Sequence, residues 1–600
     1  MTDLELLRAY EPILRFTEGE LFFPADAEAY IADCDLWQGR SQREATLVVP
    51  YGELTPERLA TIEAPPGERL FLRYVQRPLS GVELARWRTR PDRPAFQAAG
   101  RLARVGLFAR IVDAAFNVSL FLRGTVPGGT ALAAWAKYRT AAGLDARRVY
   151  YGRVVREDGW IVLQYLFFYV MNDWRTTFGG ANDHEADWEQ VFVYLEERPD
   201  GPRPVWCAAA AHESQGVDLR RRWDDPLLHR EGDHPVLYVG AGSHASYFEP
   251  GEYITAVPVP GFRPLRGLLD ALRALWRDVL RQVDPGDLAE RLEAWLSVPF
   301  IDYARGDGLA VGPGQPTPWT PVPIGDEPAW VSGYRGLFGL DTYDRFAGER
   351  APAGPKFRRD GSVRQSWYDP LGWAGLAKAA PPSRAPEMLR RHLGVLRAEA
   401  ARLGLEERAL ATRLPGLQLE LEGLGHGVAP VPTRAGTAAE VAREEAELNA
   451  TRRAIATLGD RIEAAERELA RVEAGDFGDP REHLRSPYRP VPPEVRRYGI
   501  LVEVWSAVGV GLLLLAVVGI AFFTELGAAA ALAVSLGVYV VLESAFRRRL
   551  VRLLLRATLG LAVVAAAILV WEFAVQLLIA AVVAVAVLTL ADNVRELRGR

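Results

Sequence analysis

Cysteine and lysine are scarce in this 600-residue chain, and each scarcity excludes a class of site. Cys34 and Cys207 are the only cysteines, which are too few for a disulfide framework or a thiolate zinc site, so a reducing cytoplasm is expected. Lys137, Lys356 and Lys378 are the only lysines. The positive charge is therefore almost entirely arginine, and together with the abundance of alanine, glycine, leucine and proline this bias suggests a GC-rich bacterial genome.

A strong charge imbalance is also absent. The net charge is -5, and the basic residues are not gathered into one soluble patch, so we expect no nucleic-acid partner. The opening MTDLELLRAYEPILRF contains acidic residues and no unbroken apolar stretch, which is not the pattern of a signal peptide. We therefore expect the first domain to stay in the cytoplasm.

The length of the chain predicts several domains, because single cores stop growing near ~250 to 300 residues. We predict a β-rich domain over residues 1–380, with a helical insertion at about 80–146. A helical hairpin is predicted over 386–475, a proline-rich linker over 476–500 and a transmembrane region over 501–592.

Within the first domain, Arg148–Glu157 and Trp160–Met171 predict a β-hairpin that turns at the dipeptide Asp158-Gly159. The second of these segments is almost wholly apolar, which indicates a central strand covered on both faces. Further strands are predicted at 204–211 and 235–239, and an amphipathic helix is predicted over 264–297.

The segment NDHEADWE places four candidate metal or proton ligands, His184, Glu185, Asp187 and Glu189, where a loop becomes a strand. Alternate side chains of a strand share a face. We therefore predict that the three carboxylates lie on one side and Trp188 on the other. Two interpretations stay open. The carboxylates cap turns and pair with arginines, or they form a divalent-cation or ligand site.

Histidines cluster in the same region. Five of the eight histidines in the chain fall between His184 and His244, and two of the predicted strands end at His212 and just before His244. Loops at strand ends deliver ligands to one rim of a sheet. The predicted ligand-binding residues at this rim are Asp183, Trp188, His212 and His244.

The segments YEPILRFTEGELFFPAD, NDHEADWEQVFVYL, AAHESQG, VLYVGAGSHASYF and WVSGYRGLFG with GPKF resemble the vacuolar-protein-sorting-62-related family. They are more distantly similar to the necrosis- and ethylene-inducing toxin-like proteins. The resemblance covers roughly residues 8–375. It implies a β-sandwich with peripheral helices and, in the toxin branch, a divalent cation near the HEADWE segment and recognition of sugar-bearing membrane lipid. The shared motif positions are His184, Asp187 and Glu189, which the resemblance implies as metal ligands.

Two leucine-rich heptad series follow the first domain and predict an antiparallel coiled-coil hairpin. Pro415 is expected to kink the first arm. Such a hairpin is expected to serve as a spacer or as a homo-oligomer contact. The first series contains Leu389, Leu396, Leu403, Leu410, Leu417 and Leu424, and the second contains Val441, Leu448, Ile455, Ile462 and Leu469.

Four apolar runs, at 504–523, 526–542, 553–571 and 573–590, predict an integral membrane bundle of four helices. With four spans, the arginines before the first run, between the second and third, and after the fourth all fall on one side. The opposite loops carry Glu525 and Glu572. The positive-inside rule then places both termini in the cytoplasm of a bacterial inner membrane.

These patterns leave three functional hypotheses. The leading one is a membrane-anchored β-sandwich domain that binds a lipid headgroup or glycan with the help of a divalent cation of undetermined identity. The second is a metal-dependent hydrolase with Glu185 or Glu189 as general base. The third is a structural membrane scaffold. No GxSxG, Walker, HExxH or CxxC pattern favours a particular reaction.

Overall fold

The computed structural model divides the chain into two compact units. One unit holds residues 1–96, 116–255 and 301–491, and the other holds 97–115, 256–300 and 492–600. Most of the predicted insertion at 80–146, nearly all of the amphipathic segment at 264–297, and His212 lie outside the described residues. The structure describes the chain except for residues 41–43, 81, 84–85, 87–88, 90–126, 141–143, 145–146, 174–182, 211–219, 259–296, 341–349, 428–429, 485–489, 491–499, 525–526, 548 and 599–600.

The first part of the chain is rich in β-structure, as predicted. Its short helices are α1 (Asp3–Ala9), α2 (Ala27–Ala32), α3 (Pro56–Thr61), α4 (Pro127–Thr140), α5 (Ala329–Ser332), α6 (Gln365–Tyr368) and α7 (Pro370–Trp373). The described strands are β1 (Ile13–Arg15), β2 (Asp35–Gly39), β3 (Thr46–Val49), β4 (Arg69–Arg73), β5 (Arg148–Glu157), β6 (Trp160–Asn172), β7 (His184–Glu196), β8 (Arg203–Ala209), β9 (Arg220–Arg222), β10 (Arg230–Glu231), β11 (His234–Val239), β12 (Ser246–Tyr247), β13 (Gly251–Pro258), β14 (Ser297–Ala304), β15 (Ala310–Val311) and β16 (Trp319–Pro323).

The larger sheet has the order β16-β5-β6-β7-β8-β9. β6 lies near its middle, and every residue of β6 is buried except Asn172 at its end. β5 and β6 join at Asp158 and Gly159, whose φ angles are 50° and 81°, the left-handed conformation that a two-residue hairpin turn requires. The predicted hairpin is confirmed.

Both faces of this sheet are covered. On one face, Leu14 of β1 and Val239 of β11 share a buried cluster with Phe167 and Val193. These two strands belong to the second sheet, with the order β10-β11-β1-β15 and β12 beside β11. The other face packs against α2, α3, α4 and the three-stranded sheet β3-β2-β4. Because water is excluded from both faces, the continuous apolar sequence of β6 is accounted for.

Two long helices follow, α8 (Ala385–His426) and α9 (Val431–Glu473). Ion pairs join Arg390 to Glu473, Arg397 to Glu466 and Arg413 to Glu440. Residues further along α8 therefore pair with residues nearer the start of α9, which means that the two helices run antiparallel. α8 continues through Pro415. The pairing of the two helices confirms a helical hairpin, whereas its supercoiling stays a prediction.

The segment Asp476–Leu484 contacts the edge of the larger sheet. Arg222 of β9 donates to the carbonyl oxygens of Phe477 at 2.6 Å and Gly478 at 2.8 Å. Arg481 donates from Nε to the buried carboxylate of Asp225 at 2.9 Å. The sequence predicted a linker without a core at 476–500, but this first part of it is docked on the β-rich domain because its backbone carbonyls and Arg481 find partners there.

The second unit contains four apolar helices, α10 (Ile500–Phe523), α11 (Ala528–Phe546), α12 (Leu550–Glu572) and α13 (Ala574–Arg598). Among the described residues, Ala529–Phe546 and Leu550–Ile568 are long and apolar enough to cross a membrane, and α10 has a shorter apolar stretch at Val508–Phe523. Membrane association thus has support from length and composition. The assignment of four spans stays a prediction.

Candidate functional site

The first half of β7, His184–Gln190, extends beyond the end of its neighbour β8. It pairs with β6, from Asn172 opposite His184 to Leu166 opposite Gln190. The ladder with β8 begins only at Val191, and no described strand pairs with the other edge of His184–Gln190. Side chains from both faces of this segment can therefore reach the same open space beside the sheet.

That space is a cleft of about 620 Å³, within the ~300 to 1,000 Å³ that is typical of small-molecule sites. His184, Asp187, Trp188 and Glu189 line it together. The structure thus brings together four of the residues that the sequence singled out. The other lining residues are Asn172, Gln190, Ala210, Ser243, Arg350, Pro352, Arg358, Arg359, Asp360, Arg364, Gln365, Ser366 and Trp373.

Asp187 is held in place by two donors. Its Oδ2 accepts from Asn172 Nδ2 at 2.9 Å and lies 3.0 Å from His244 Nδ1. Burial alone would raise the pKa of Asp187, but the hydrogen bond and the charge of His244 lower it below its usual value. Asp187 is therefore an ionised carboxylate of fixed orientation at the edge of the cleft.

His244 lies beneath the cleft between two carboxylates. It is fully buried and stacks on Tyr169 with ring centroids 3.8 Å apart, and its Nε2 is 3.8 Å from Glu20 Oε1. Burial alone would lower the pKa of His244, but the hydrogen bond with Asp187 and the nearby carboxylate of Glu20 raise it to about 10. His244 does not line the cleft. The prediction that His244 contacts the ligand directly is therefore not supported by its position. His244 is instead a buried cation that orients Asp187.

Glu20 and Asp173 are further buried carboxyl groups near His244. Glu20 accepts from the backbone amides of Leu21, Phe22 and Gly242 at 2.8, 3.1 and 2.9 Å. Burial, followed by the charges of Glu20 and Asp183, raises the pKa of Asp173 well above its usual range. The predicted ligand residue Asp183 is fully buried and does not line the cleft.

The prediction that Glu185 shares a face with Asp187 and Glu189 is wrong. Ala186 has a φ of 60°, which breaks the alternation of the strand and turns Glu185 towards other backbone segments. Its carboxylate accepts from the amides of Tyr74 at 3.2 Å, Val75 at 2.7 Å and Leu340 at 3.3 Å. Burial raises the pKa of Glu185 to about 7. Of the two candidate general bases, only Glu189 lies at the cleft.

Trp188 was expected to point away from the carboxylates. Its ring does pack on the opposite face of the sheet, stacked on Trp330 with centroids 6.2 Å apart and tilted against Phe168 at 5.0 Å. It also borders the cleft, because β8 ends before reaching it. Trp188 therefore supplies an aromatic border to an otherwise polar cleft.

His184 has the donor chemistry of a metal ligand. Its Nδ1 lies 2.8 Å from the carbonyl oxygen of Ala186, which fixes the proton on Nδ1 and leaves the lone pair of Nε2 available. Burial lowers the pKa of His184 below 6.5, which favours the neutral ring. Burial and then the charge of Asp187 raise the pKa of Glu189 well above its usual range. A cation between these two carboxylates would relieve their repulsion.

The donor chemistry fits a divalent cation, but the convergence of donors is incomplete. Within the part of the chain that the structure describes, no group of three His, Cys, Asp or Glu side chains is arranged to hold a metal ion. The predicted metal set therefore shares a cleft without meeting at one point. His212, the remaining rim histidine, lies outside the described residues.

Sequence reasoning missed the residues that face β7 across the cleft. Arg350, Arg358, Arg359 and Arg364 all line it, and four arginines within fifteen positions were a detectable signal. Asn172 and Glu20 were missed as well. Neither carries a local pattern that distinguishes it from an ordinary strand-end or turn residue.

No family model and no curated protein matches the chain. Among solved structures, NLPPya in complex with glucosamine is 20% identical with a TM-score of 0.14. Necrosis and Ethylene inducing Protein 2 from the causal agent of cocoa's Witches Broom disease is 23% identical with a TM-score of 0.14. Each match covers 18% of this chain and 48% of the other. The chain thus spans about half the length of these structures, and a likeness of this extent carries no argument about the site.

Proposed function

We propose that the β-rich domain is a binding module whose cleft takes a polar ligand, a lipid headgroup or a glycan, with the help of a divalent cation. The observation that supports the proposal is that His184, Asp187 and Glu189 line one open cleft of ligand size. A strand that runs on past its neighbour delivers them there. Binding requires no nucleophile, and none of the three residues needs to act as one.

Asp187 and Glu189 would hold the cation, and Nε2 of His184 would be a further donor. A mixed set of imidazole and carboxylate suits Mn, Fe or Zn. Asn172 and His244 hold the Asp187 carboxylate through hydrogen bonds, and such bonds orient a metal ligand. The cation would supply positive charge to draw hydroxyl or anionic groups of the ligand into the cleft.

The proposal places this module on the cytoplasmic side of a bacterial inner membrane, anchored by α10 to α13. It is supported by two candidate spans and by the arginines near the loop that joins them. Arg549 lies between the two spans, and Arg552 and Arg556 lie near the start of the second. Membership of the vacuolar-protein-sorting-62-related family, a β-sandwich core and homo-oligomerisation through a coiled coil are part of the same proposal.

Metal analysis of the full chain, purified in detergent, tests the cation. We expect a stoichiometric divalent metal in the native protein and its loss in Asp187→Asn and Glu189→Gln. Asp200→Asn removes an exposed carboxylate that pairs with Arg203, and this control should keep the metal. Native protein without metal after incubation with Mn, Zn and Mg would overturn the cation-assisted mechanism.

A further inference from the structure

We propose that the cleft recognises a phosphate group on its ligand through Arg350, Arg358, Arg359 and Arg364, which we call the arginine group. The inference rests on the proposed function, in that the cleft is taken to be a ligand site, and it adds the chemical class of the ligand. The phosphate belongs either to a soluble phosphorylated compound or to a lipid headgroup.

The arginine group lines the same cleft as Asp187 and Glu189 of β7. All four guanidinium-bearing residues come from one short segment. Lys356 lies in the same segment but does not line the cleft, because it pairs with Asp326 at 2.8 Å. Arginine presents a planar fork of donors that matches the oxygens of phosphate, whereas lysine acts as a point charge.

The backbone of this segment is preorganised. Arg364 N donates to Lys356 O at 2.9 Å, and Arg358 N donates to Ser362 O at 2.7 Å. Phe357 and Val363 form an antiparallel bridge between these bonds. The tight turn at Gly361, whose φ is 83°, therefore presents Arg358 and Arg359 at its tip and Arg364 at its base. A preformed wall loses less entropy when it binds an anion.

The acids closest to the arginine group have hydrogen-bond partners of their own. Asp360 lies in the same turn, but its Oδ1 accepts from Ser362 N at 2.9 Å and Ser362 Oγ at 2.6 Å. Asp187 is engaged by Asn172 and His244. Within the described part of the chain, the exposed side chains of Arg350 and Arg358 form no hydrogen bond or ion pair. As far as the described residues show, these two guanidinium groups have donors available to a ligand.

The cleft also offers a surface for the rest of such a ligand. Trp188, Pro352 and Trp373 border the same space, and Trp373 is supported from behind by Phe192 with ring centroids 4.6 Å apart. Apolar and aromatic borders with a few convergent charged groups are typical of small-molecule sites. A phosphate bound to the arginine group would leave its carrier against these borders.

Calorimetric titration of the full chain in detergent tests the inference with three probes: glucose 6-phosphate, glucose, and short-chain phosphatidic acid. We expect both phosphorylated probes to bind and glucose to bind at least about tenfold more weakly, because each charge-assisted hydrogen bond contributes about 1.5 to 3 kcal/mol. Tighter binding of phosphatidic acid indicates a lipid source, and tighter binding of glucose 6-phosphate indicates a soluble one.

The double variant R350Q/R358Q should weaken the phosphorylated probes at least about tenfold. The double variant R77Q/R203Q removes the same charge from exposed sites outside the cleft and should bind like the native chain. The double variant R350K/R358K keeps the positive charge and should restore part of the affinity. That result would show that R350Q/R358Q binds weakly because it lacks the charge, and not because it is misfolded. Equal binding by R350Q/R358Q and R77Q/R203Q, or binding of glucose as tight as that of its phosphate, overturns the inference.

Repeating the titration with Mn and with a chelator separates this inference from the cation proposal. Phosphate binding that persists in the chelator and is lost in R350Q/R358Q keeps the inference and removes the need for a cation. A chain that holds a metal at Asp187 and Glu189 but binds neither phosphorylated probe keeps the cation and overturns the inference.

Discussion

At the scale of single residues, the cleft depends on two strained positions that flank the same carboxylate. Ala186 and His244 have φ angles of 60° and 57°, a conformation that costs roughly 1 to 3 kcal/mol at a non-glycine residue. Ala186 turns Glu185 away and leaves Asp187 facing the cleft. His244 brings its ring under Asp187. The local backbone is thus held in an unfavourable state by the contacts that build the site.

The buried His244 predicts a loss of stability in alkali. Because its pKa is raised from 6.5 to about 10, its contribution is fully present below pH 6.5 and is lost as the pH rises towards 10, a change of roughly 5 kcal/mol. We expect the unfolding temperature of the full chain, followed by tryptophan fluorescence in a chelating buffer, to fall across this window.

In His244→Gln the unfolding temperature should fall less over the same pH range, because this variant has no imidazolium to deprotonate. His392→Gln changes an exposed histidine on α8 and should leave the slope as in the native chain. Identical slopes in His244→Gln and the native chain would show that Asp187 and Glu20 do not hold a charged imidazole.

The residues of the cleft could be predicted only where one segment carries several of them. NDHEADWE concentrates His184, Asp187, Trp188 and Glu189 on one strand, so they were found together. Glu185 was misplaced because a period of two assumes regular strand geometry, and nothing in the sequence signals a left-handed alanine. The arginine group is visible as a cluster in the sequence, but its position beside β7 depends on tertiary folding and could not be predicted.

At the scale of elements, the helical hairpin contains a charged residue in its interior. Glu444 is 3% exposed and pairs with Arg413 at 3.1 Å. It lies midway between the buried Val441 and Leu448. A polar group in such an interior fixes the alignment of helices at a cost in stability, so Glu444 opposes sliding of α8 along α9.

Arg413→Ala should destabilise the middle of the hairpin, because it leaves the Glu444 carboxylate buried without that partner, at a cost of roughly 1 to 3 kcal/mol. Hydrogen–deuterium exchange of peptides from α8 and α9 around these residues should become faster. Arg391→Ala breaks the exposed pair with Glu387 on the same helix and should leave exchange there unchanged. Equal exchange in both variants would mean that Glu444 does not need Arg413.

The regular elements were predictable because their burial repeats along the sequence. Leu389, Leu396 and Leu403 mark the inner side of α8 by their spacing, and the apolar residues of β6 mark its central place. The docking of Asp476–Leu484 was not predictable. Two of its contacts run through the carbonyl oxygens of Phe477 and Gly478, and every residue type has such an oxygen. Its Gly478 and Pro480 are typical of a linker.

At the scale of the whole molecule, charge and hydropathy predict an orientation that the fold alone leaves open. Arg552 and Arg556 lie in the first turns of α12, and Glu572 ends it. If α10 to α13 cross four times, the arginines share one side with both termini, and that side is the cytoplasm.

A reporter fused after Arg600 tests this orientation. We expect alkaline phosphatase, which is active only outside the cytoplasm, to be inactive there, and green fluorescent protein to be fluorescent. A second fusion placed between Glu572 and Ala574 should give the opposite pair of results and serves as the internal control. Active phosphatase after Arg600 would mean an odd number of spans.

The pairing of Arg390 with Glu473 at 2.5 Å means that the hairpin begins and ends at one place. For protein engineering, it is therefore an arm whose length can be changed separately from the β-rich domain. Adding or removing matched turns from α8 and α9 would change how far the tip extends from its base while leaving the entry and exit of the chain, and thus β7 and its cleft, where they are. Variants with a shortened or lengthened hairpin should therefore bind ligands in the cleft as the native chain does.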